Sequence, residues 1–401
     1  MKRRGLASTG LALGLGLGGL VPTALAAARP QASLITLDMV SALQGWAMNT
    51  TGQMLKTTDG GRQWTNVASP SLIRAIQYAA KSGEVSLKPT RGGNLVVPNG
   101  TGQSTWVAFP NAWTAWVTLP VAPDAIQIWH TGDGGQQWTA TVVHKAGPGG
   151  SMGGTNIAAV GNRDAWIIIN SGALAGQVEF RVWRTSLRQS LWHRVFQGYV
   201  SGTSGLTFLT GIQGILAGGS NMYEGPDSAS LMVTDDGGVT WMPPRSPLPL
   251  LPGNWATSVL TPVTVLHSRQ TLVVPVLLQK PFPSKTDPLK TWWLLEQSTN
   301  DGSTWHQLPT PEAVLTQPPQ DTFQAWASMQ NGWVVLGSHL FRTDTAGQQW
   351  SRSALPPGTV INLSRVSTTT GFVLVRQGMR TWIYRTRNGG KSWLKESSYV
   401  P

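Results

Sequence analysis

Apolar residues along this chain come in short runs, each broken by a polar turn, and the turns recur as one octapeptide. Clear copies are Thr57–Trp64, Thr131–Trp138 and Thr234–Trp241, with Asp59, Asp133 and Asp236 at the third position. Ser298–Trp305 and Thr386–Trp393 place Asn300 and Asn388 there instead. Thr343–Trp350 lacks the acid, and Thr185–Trp192 keeps only its ends. The shared pattern is Ser/Thr-x-Asp/Asn-x-Gly-x-x-Trp. It reads as a hairpin turn, because Asp or Asn accepts backbone N–H bonds, Gly takes a positive φ and the flanks continue as paired strands.

A second signal precedes most of these turns: a small residue, an aromatic and an apolar residue, as in Gly45-Trp46-Ala47, Ala115-Trp116-Val117, Ala165-Trp166-Ile167, Gly332-Trp333-Val334 and Gly371-Phe372-Val373. It weakens to Gly214-Ile215-Leu216 in the fourth unit and to Thr271-Leu272-Val273 in the fifth. Each unit therefore predicts four strands: a, then b on the small–aromatic signal, then c, the box turn and d. Four short strands with turns need roughly 40–50 residues, the length of a propeller blade. Successive box tryptophans lie 74, 54, 49, 64, 45 and 43 residues apart, so the last units are bare and the earlier ones carry insertions. Burying the closing Trp is worth up to about 4–6 kcal/mol, against about 1.5–3 kcal/mol for one charge-assisted hydrogen bond. The Trp is the larger anchor, and all seven box tryptophans (Trp64, Trp138, Trp192, Trp241, Trp305, Trp350, Trp393) are present.

These octapeptides resemble the Asp-box, or BNR, repeats of sialidases and related propellers. The fuller unit, with its Gly-Trp strand, Lys/Arg-Thr, Asp-Gly-Gly and Trp, is similar to the propellers of the photosystem II assembly and stability factor family. The resemblance spans about residues 31–400. It implies an all-β, seven-bladed propeller of four-stranded blades, with residues 27–401 as one unit. It further implies a non-catalytic protein-binding role and an arginine-rich patch used in protein contacts.

Composition agrees with a turn-rich β protein: 46 Gly, 27 Pro, 12% charged residues and 20 Trp in 401 residues. Zero cysteines rule out disulfides, thiolate catalysis and Cys-ligated metals. Residues 1–26 read as a signal peptide: basic Lys2, Arg3 and Arg4, an apolar run from Gly5 to Leu20, and an Ala24-Leu25-Ala26 cleavage site with no lipobox cysteine. A retained membrane anchor is the alternative. The Gly14, Gly16, Gly19 spacing lies inside this run and says nothing about nucleotides. Loss of the leader takes the charge from +12 to +9. An exported basic chain points to a protein partner or an acidic envelope polymer, with peripheral membrane contact at most, no nucleic acid, and a monomeric state.

Candidate chemistry is sparse. Tyr223, Glu224 and Asp227 form the most site-like acidic group, in the expected b–c loop of the fourth blade. Gly149–Gly153 matches the G-x-S-x-G pattern, but in a Gly/Pro loop rather than a strand-to-helix elbow. Asp235-Asp236 lacks the alternating ligands of a calcium loop, and no cofactor or metal is expected. Binding is the better reading. Insertions such as 69–104, 171–179 and 243–254 fall on the face opposite the boxes and bring Arg74, Arg91 and Arg245. A second basic group sits in the seventh unit: Arg376, Arg380, Arg385, Arg387 and Lys391. A competing account exists for one of them. Lys56, His130, Arg184, Arg342 and Arg385 all stand just before the box Thr, where a basic side chain lays its stem between blades.

The expected function is therefore a secreted or envelope-located binding platform that assists assembly or stability of a membrane complex. A sialidase-like or other glycoside hydrolase, or a glycan-binding propeller, is the alternative. Any ligand-stacking Trp is expected outside the repeat, for instance Trp113 or Trp382. Ring closure is left open, because no strand remains to interlock the first and last blades unless residues 27–31 exchange.

Overall fold

The computed structural model describes residues 32–83, 85, 87, 106–122, 125–144, 153–162, 164–174, 177–186, 191–200, 203–218, 231–245, 256–259, 264–265, 271–279, 291–309, 322–336 and 338–398. From Ala32 onward the chain forms a seven-bladed β-propeller of antiparallel sheets, each built from consecutive strands. Blade 1 comprises Leu34–Met39, Gly45–Asn49, Met54–Thr57 and Thr65–Asn66. Blade 2 comprises Val107–Ala108, Ala115–Ala122, Ala125–Thr131 and Thr139–His144. Blade 3 comprises Gly153–Val160, Asp164–Leu174, Gln177–Ser186 and His193–Val200. Blade 4 has Thr203–Phe208, Gly214–Gly218 and Leu231–Thr234, with strand d reduced to one bridge between Val233 and Met242. In blade 5, Ala256–Val259 and Thr264–Val265 share the place of strand a, ahead of Leu272–Gln279, Thr291–Ser298 and His306–Leu308. Blade 6 comprises Thr322–Trp326, Gly332–Leu336, His339–Thr343 and Ser351–Ala354; blade 7 comprises Thr359–Arg365, Gly371–Gln377, Arg380–Thr386 and Leu394–Ser398.

Each box is the c–d turn, and its first residue is the hub. The Ser/Thr hydroxyl accepts the N–H of the box glycine at 2.8–3.0 Å in six boxes, those of Thr57, Thr131, Thr234, Ser298, Thr343 and Thr386. The third residue then accepts the N–H four positions on, as Asp59 does from Gln63 at 3.0 Å and Asn388 from Ser392 at 2.9 Å. Thr345, which stands where the acid is lost, does the same for Gln349 at 2.8 Å. Two successive residues of the turn take positive φ, and the second is always glycine: Gly61, Gly135, Gly238, Gly302, Gly347 and Gly390, at 82–92°. Position also forbids a side chain. A Cβ on Gly135 would fall 2.6 Å from Val67 Cβ, and one on Gly390 would fall 2.5 Å from Leu340 Cδ2, both in the preceding blade. The residue before that glycine donates its N–H to the a–b turn of its own blade, at the carbonyls of Leu43, Trp113, Ile212, Gln330 and Thr369.

The two repeat signals meet across the blade interfaces. The strand-b aromatic of one blade packs with the box Trp of the next. Trp116 meets Trp192 edge-on at 5.8 Å, and Trp333 meets Trp393 at 5.7 Å. Trp166 stacks on Phe208 at 3.6 Å, and Phe208 in turn meets Trp241 edge-on at 6.0 Å. Trp46 with Trp138, Ile215 with Trp305, Val273 with Trp350 and Phe372 with Trp64 share cores in the same way. The indole N–H groups help fix the register: Trp46 donates to Asn111 O and Trp166 to Gly237 O, each at 2.9 Å and each in the next blade.

The basic position before the box Thr is part of this seam. Lys56, His130, Arg184, Arg342 and Arg385 lie directly across from Trp46, Trp116, Trp166, Trp333 and Phe372 on the neighbouring strand. Arg184 sits 5.1 Å over the Trp166 ring, Lys56 5.4 Å over Trp46, and Arg385 5.4 Å over Phe372. The ring of His130 lies 4.0 Å from that of Trp116, and burial pushes its pKa down to about 4.

Among the described residues, closure uses no exchanged strand. Blades 1 and 7 each take all their strands from one contiguous stretch, and they join through a shared core of Leu34, Leu37, Leu55, Phe372, Leu374 and Ile383. Hydrogen bonds supplement it, among them Leu34 N–H to Thr381 Oγ1 (2.8 Å), Met39 N–H to Ser364 Oγ (3.0 Å) and Ser33 Oγ to Met379 O (2.9 Å). Residues 27–31 lie outside the described residues.

Two insertions differ from the expected loops. Part of 69–104 is a helix, α1 (Pro70–Lys81), capped by Ser69 and buried through Leu72, Ile76 and Ala79. Proline at the first position and apolar spacings of four and three are a helix signature that the all-β reading passed over. The 171–179 segment continues strands b and c of blade 3 into a long hairpin, with Ala173 opposite Val178.

Trp166 is fully buried, whereas Trp113 is 53% exposed. Trp166→Ala is expected to destabilise the chain by about 3–5 kcal/mol, and Trp113→Ala by no more than about 0.5 kcal/mol. Guanidinium unfolding of the two variants checks the difference.

Candidate functional site

The best-formed surface feature is the b–c hairpin of blade 7. Gln377 pairs with Arg380, leaving a two-residue turn in which Gly378 takes φ 63° and Met379 stands 88% exposed. Glycine at the first central position is what such a turn requires. The turn is held from several sides. Met379 O accepts from Ser33 Oγ, while Gln377 Nε2 donates to Pro357 O at 2.6 Å and to Tyr384 Oη at 3.1 Å. Arg380 is exposed and Arg376 half-buried, so an apolar tip is flanked along the chain by two arginines on a fixed backbone.

The other basic residues of this blade do not join them. Arg387 and Lys391 lie exposed on the box turn, beyond the far end of strand c (Arg380–Thr386). Seven residues of strand separate the two groups by roughly 20 Å. Arg385 belongs to neither, being 8% exposed. Its Nη1 lies 3.8 Å from Glu396 Oε1, and Arg62 of blade 1 reaches the other oxygen of Glu396 at 3.3 Å. Burial and then Arg387 lower the Arg385 pKa, while Glu396 opposes them. The expected arginine patch is thus divided between two faces, and one member is buried in an ion pair within blade 7 whose acid also meets Arg62 of blade 1.

Of the remaining candidates, Arg74 is exposed on α1, where it bonds Ser71 Oγ at 3.2 Å, and Arg245 is exposed just beyond the last bridge of blade 4. Arg91, the Tyr223, Glu224 and Asp227 group, and Gly149–Gly153 lie outside the described residues. Trp113 is exposed but has Lys56 Nζ 4.6 Å over its ring, and Trp382 carries Lys395 Nζ at 3.1 Å. Neither ring offers a bare face on the side that its cation covers.

The carboxylate of Asp236 is taken up by its own turn. It accepts from Thr234 Oγ1 (2.8 Å), the N–H groups of Val239 (2.9 Å) and Thr240 (3.0 Å), and Thr240 Oγ1 (2.6 Å). These donors hold its pKa down at about 2 against the opposing effect of desolvation. Among the described residues no group of three or more His, Cys, Asp or Glu could hold a metal ion, and no helix is long and apolar enough to cross a membrane.

Sequence reading missed two desolvated acids. Asp38, on strand a of blade 1, is raised to about 6, and Glu296, on strand c of blade 5, to about 8, both by desolvation. They belong to different, non-adjacent blades and do not form the carboxyl pair that glycoside hydrolysis uses. The available signal was positional. Six of the seven boxes are preceded, two residues before the hydroxyl, by Leu55, Trp129, Trp183, Met232, Phe341 or Tyr384, and only the fifth by an acid.

No protein-family model and no curated protein matches the sequence. Solved structures do. One, described as YCF48 bound to D1 peptide, superposes with a TM-score of 0.51 at 16% identity, covering 89% of this chain and 92% of that one. YCF48 from Cyanidioschyzon merolae gives 0.49 at 13%, covering 90% and 96%. An alpha-L-arabinanase from Penicillium chrysogenum, complexed with arabinobiose, gives 0.41 at 13%, covering 72% and 90%. The likeness to the peptide-bound YCF48 agrees with the resemblance read from the boxes, and at 16% identity it shows the fold alone.

The low pKa of Asp236 has a pH consequence. A carboxyl held at about 2 in the fold, against an ordinary 3.8, contributes stability that is complete above pH 4 and lost as pH falls through 2. Asp236→Asn keeps the acceptor, as Asn300 and Asn388 do in their own boxes. The melting temperature of this variant is expected to fall less between pH 5 and pH 2.5 than that of the parent. Equal falls would show that the carboxylate charge is not what the turn uses.

Proposed function

We propose that this chain is a non-catalytic, exported propeller that serves as a protein-binding platform and assists assembly or stability of a membrane complex. The blade 7 hairpin carries the reading: Met379 fully presented between Arg376 and Arg380, on a backbone tied to blade 1 by Ser33. Methionine and arginine are enriched where proteins meet, and a preorganised tip loses little entropy on binding. Two guanidinium groups beside an apolar tip suit a partner segment that alternates acidic and apolar residues. The formal charge of +9 left after loss of the leader (12 − 3) steers such a partner toward the chain. A propeller of the same fold, YCF48, has been captured with a peptide, which supports a peptide-binding role here without carrying over the peptide's identity.

The binding surface then consists of Arg376, Met379 and Arg380, with Arg74 and Arg245 as exposed basic neighbours on insertions, and it excludes Arg385. The working state is a monomer that touches a membrane only peripherally through its partner. A photo-cross-linking residue at position 379 in intact cells is expected to trap one dominant protein, identified by mass spectrometry. Arg380→Glu combined with Met379→Glu should weaken that capture about tenfold or more while leaving the melting temperature unchanged. Arg387→Glu with Lys391→Glu should leave capture intact. The reverse pattern would move the site to the box face and overturn the proposal.

A further inference from the structure

The seven interfaces are not built alike. The residue two before the box hydroxyl faces the preceding blade, and it lies in an apolar core at Leu55, Trp129, Trp183, Met232, Phe341 and Tyr384. Blade 5 places Glu296 there, on the same strand face as Leu294, which packs in the blade 4–5 core. Glu296 is 1% exposed, and neither carboxyl oxygen has a hydrogen-bond partner. It stands directly across from Val274 on strand b and Gln307 on strand d.

Among the described residues of the strands around it, none can neutralise it. Strands b and c of blade 4 (Gly214–Gly218 and Leu231–Thr234) and strands a and b of blade 5 carry no ionisable residue. Strand d has only His306, which is exposed and lies across from Gln297. The one acid tied across this interface is Asp301 in the box turn, which accepts from Gln213 Nε2 at 3.3 Å. An unpaired carboxylate buried among aliphatic groups costs several kcal/mol, so the group stays protonated in the closed interface.

The same interface departs from the repeat in other respects. The aromatic of strand b is replaced by Ile215. The outer strand of blade 4 shrinks to the Val233–Met242 bridge, and the inner strand of blade 5 is divided into two short pieces. A buried acid without a partner therefore sits in an interface that lacks the strand-b aromatic.

We propose that the blade 4–blade 5 interface is a pH-sensitive seam of the ring, closed by a neutral Glu296 carboxyl and loosened when that carboxyl ionises. The sign follows from the proton balance. Closed, the group titrates at about 8; opened to water, it returns to its ordinary 4.5. Between those values the open form binds fewer protons than the closed one. Opening is therefore favoured about tenfold more for each pH unit gained, levelling off above 8.

The test is hydrogen–deuterium exchange of the full-length chain at pH 5.5, 6.5 and 7.5, with rates corrected for intrinsic exchange. Peptides covering 231–234 and 294–298 are expected to lose protection about tenfold per unit, while those covering 371–386 in blade 7 hold theirs. In Glu296→Gln the slope at the seam should vanish. Glu296→Leu, which removes the polar burial, should be pH-independent as well and better protected at every pH, which keeps the test open if the glutamine variant folds poorly. A flat profile in the parent, or the same slope in either variant, would overturn the proposal.

Discussion

The ring depends on one contact made over and over: a strand-b residue of each blade, aromatic in five of the seven, against the box tryptophan of the next. Neither partner can be buried within its own four-stranded sheet, because both stand on faces that only the neighbouring blade covers. Each blade therefore gains most of its stability from the next, and the whole depends on closure between blades 7 and 1. There the same contact recurs as Phe372 against Trp64, without an interlocking strand. In a chain with no cysteine this packing supplies the cohesion that disulfides give many small secreted domains.

The box turn exists to place that tryptophan. A Ser or Thr hydroxyl gathers the glycine N–H, the third residue gathers the N–H groups further on, and the glycine lets the turn press against the preceding blade. The acid is replaceable because Asn or Thr also accepts hydrogen bonds, as Asn300 and Thr345 do. The glycine and the hydroxyl are less so, since each answers both a conformational and a steric demand. The basic residue before the box belongs to the same design. It covers the outer edge of the strand-b aromatic, which is why Arg385 is buried although it sits in an arginine-rich stretch.

The fold was legible in the sequence because box spacing counts blades directly, and a turn signal followed by Trp at a fixed offset has few other structural readings. The hydroxyl hub was less visible, since Ser and Thr also suit ordinary strand positions. Helix α1 was overlooked although Ser69, Pro70 and the Leu72, Ile76, Ala79 spacing announce it. The binding surface was half legible. Arg376 and Arg380 flank a Gly-Met turn in the sequence itself, but only the strand geometry separates them from Arg387 and Lys391. Glu296 looked like an ordinary strand residue until the boxes were placed in register, and its burial follows from the blade that packs against it.

The interface contact itself is most directly tested by a double-mutant cycle on Trp333 and Trp393, whose rings meet at 5.7 Å across blades 6 and 7. Guanidinium unfolding of Trp333→Ala, Trp393→Ala and the double variant is expected to give a coupling energy of about 0.5–1.5 kcal/mol, with the second substitution costing less once the first is made. Costs that add to within about 0.3 kcal/mol would mean that the two tryptophans act independently, and that the repeated seam is not what holds the ring.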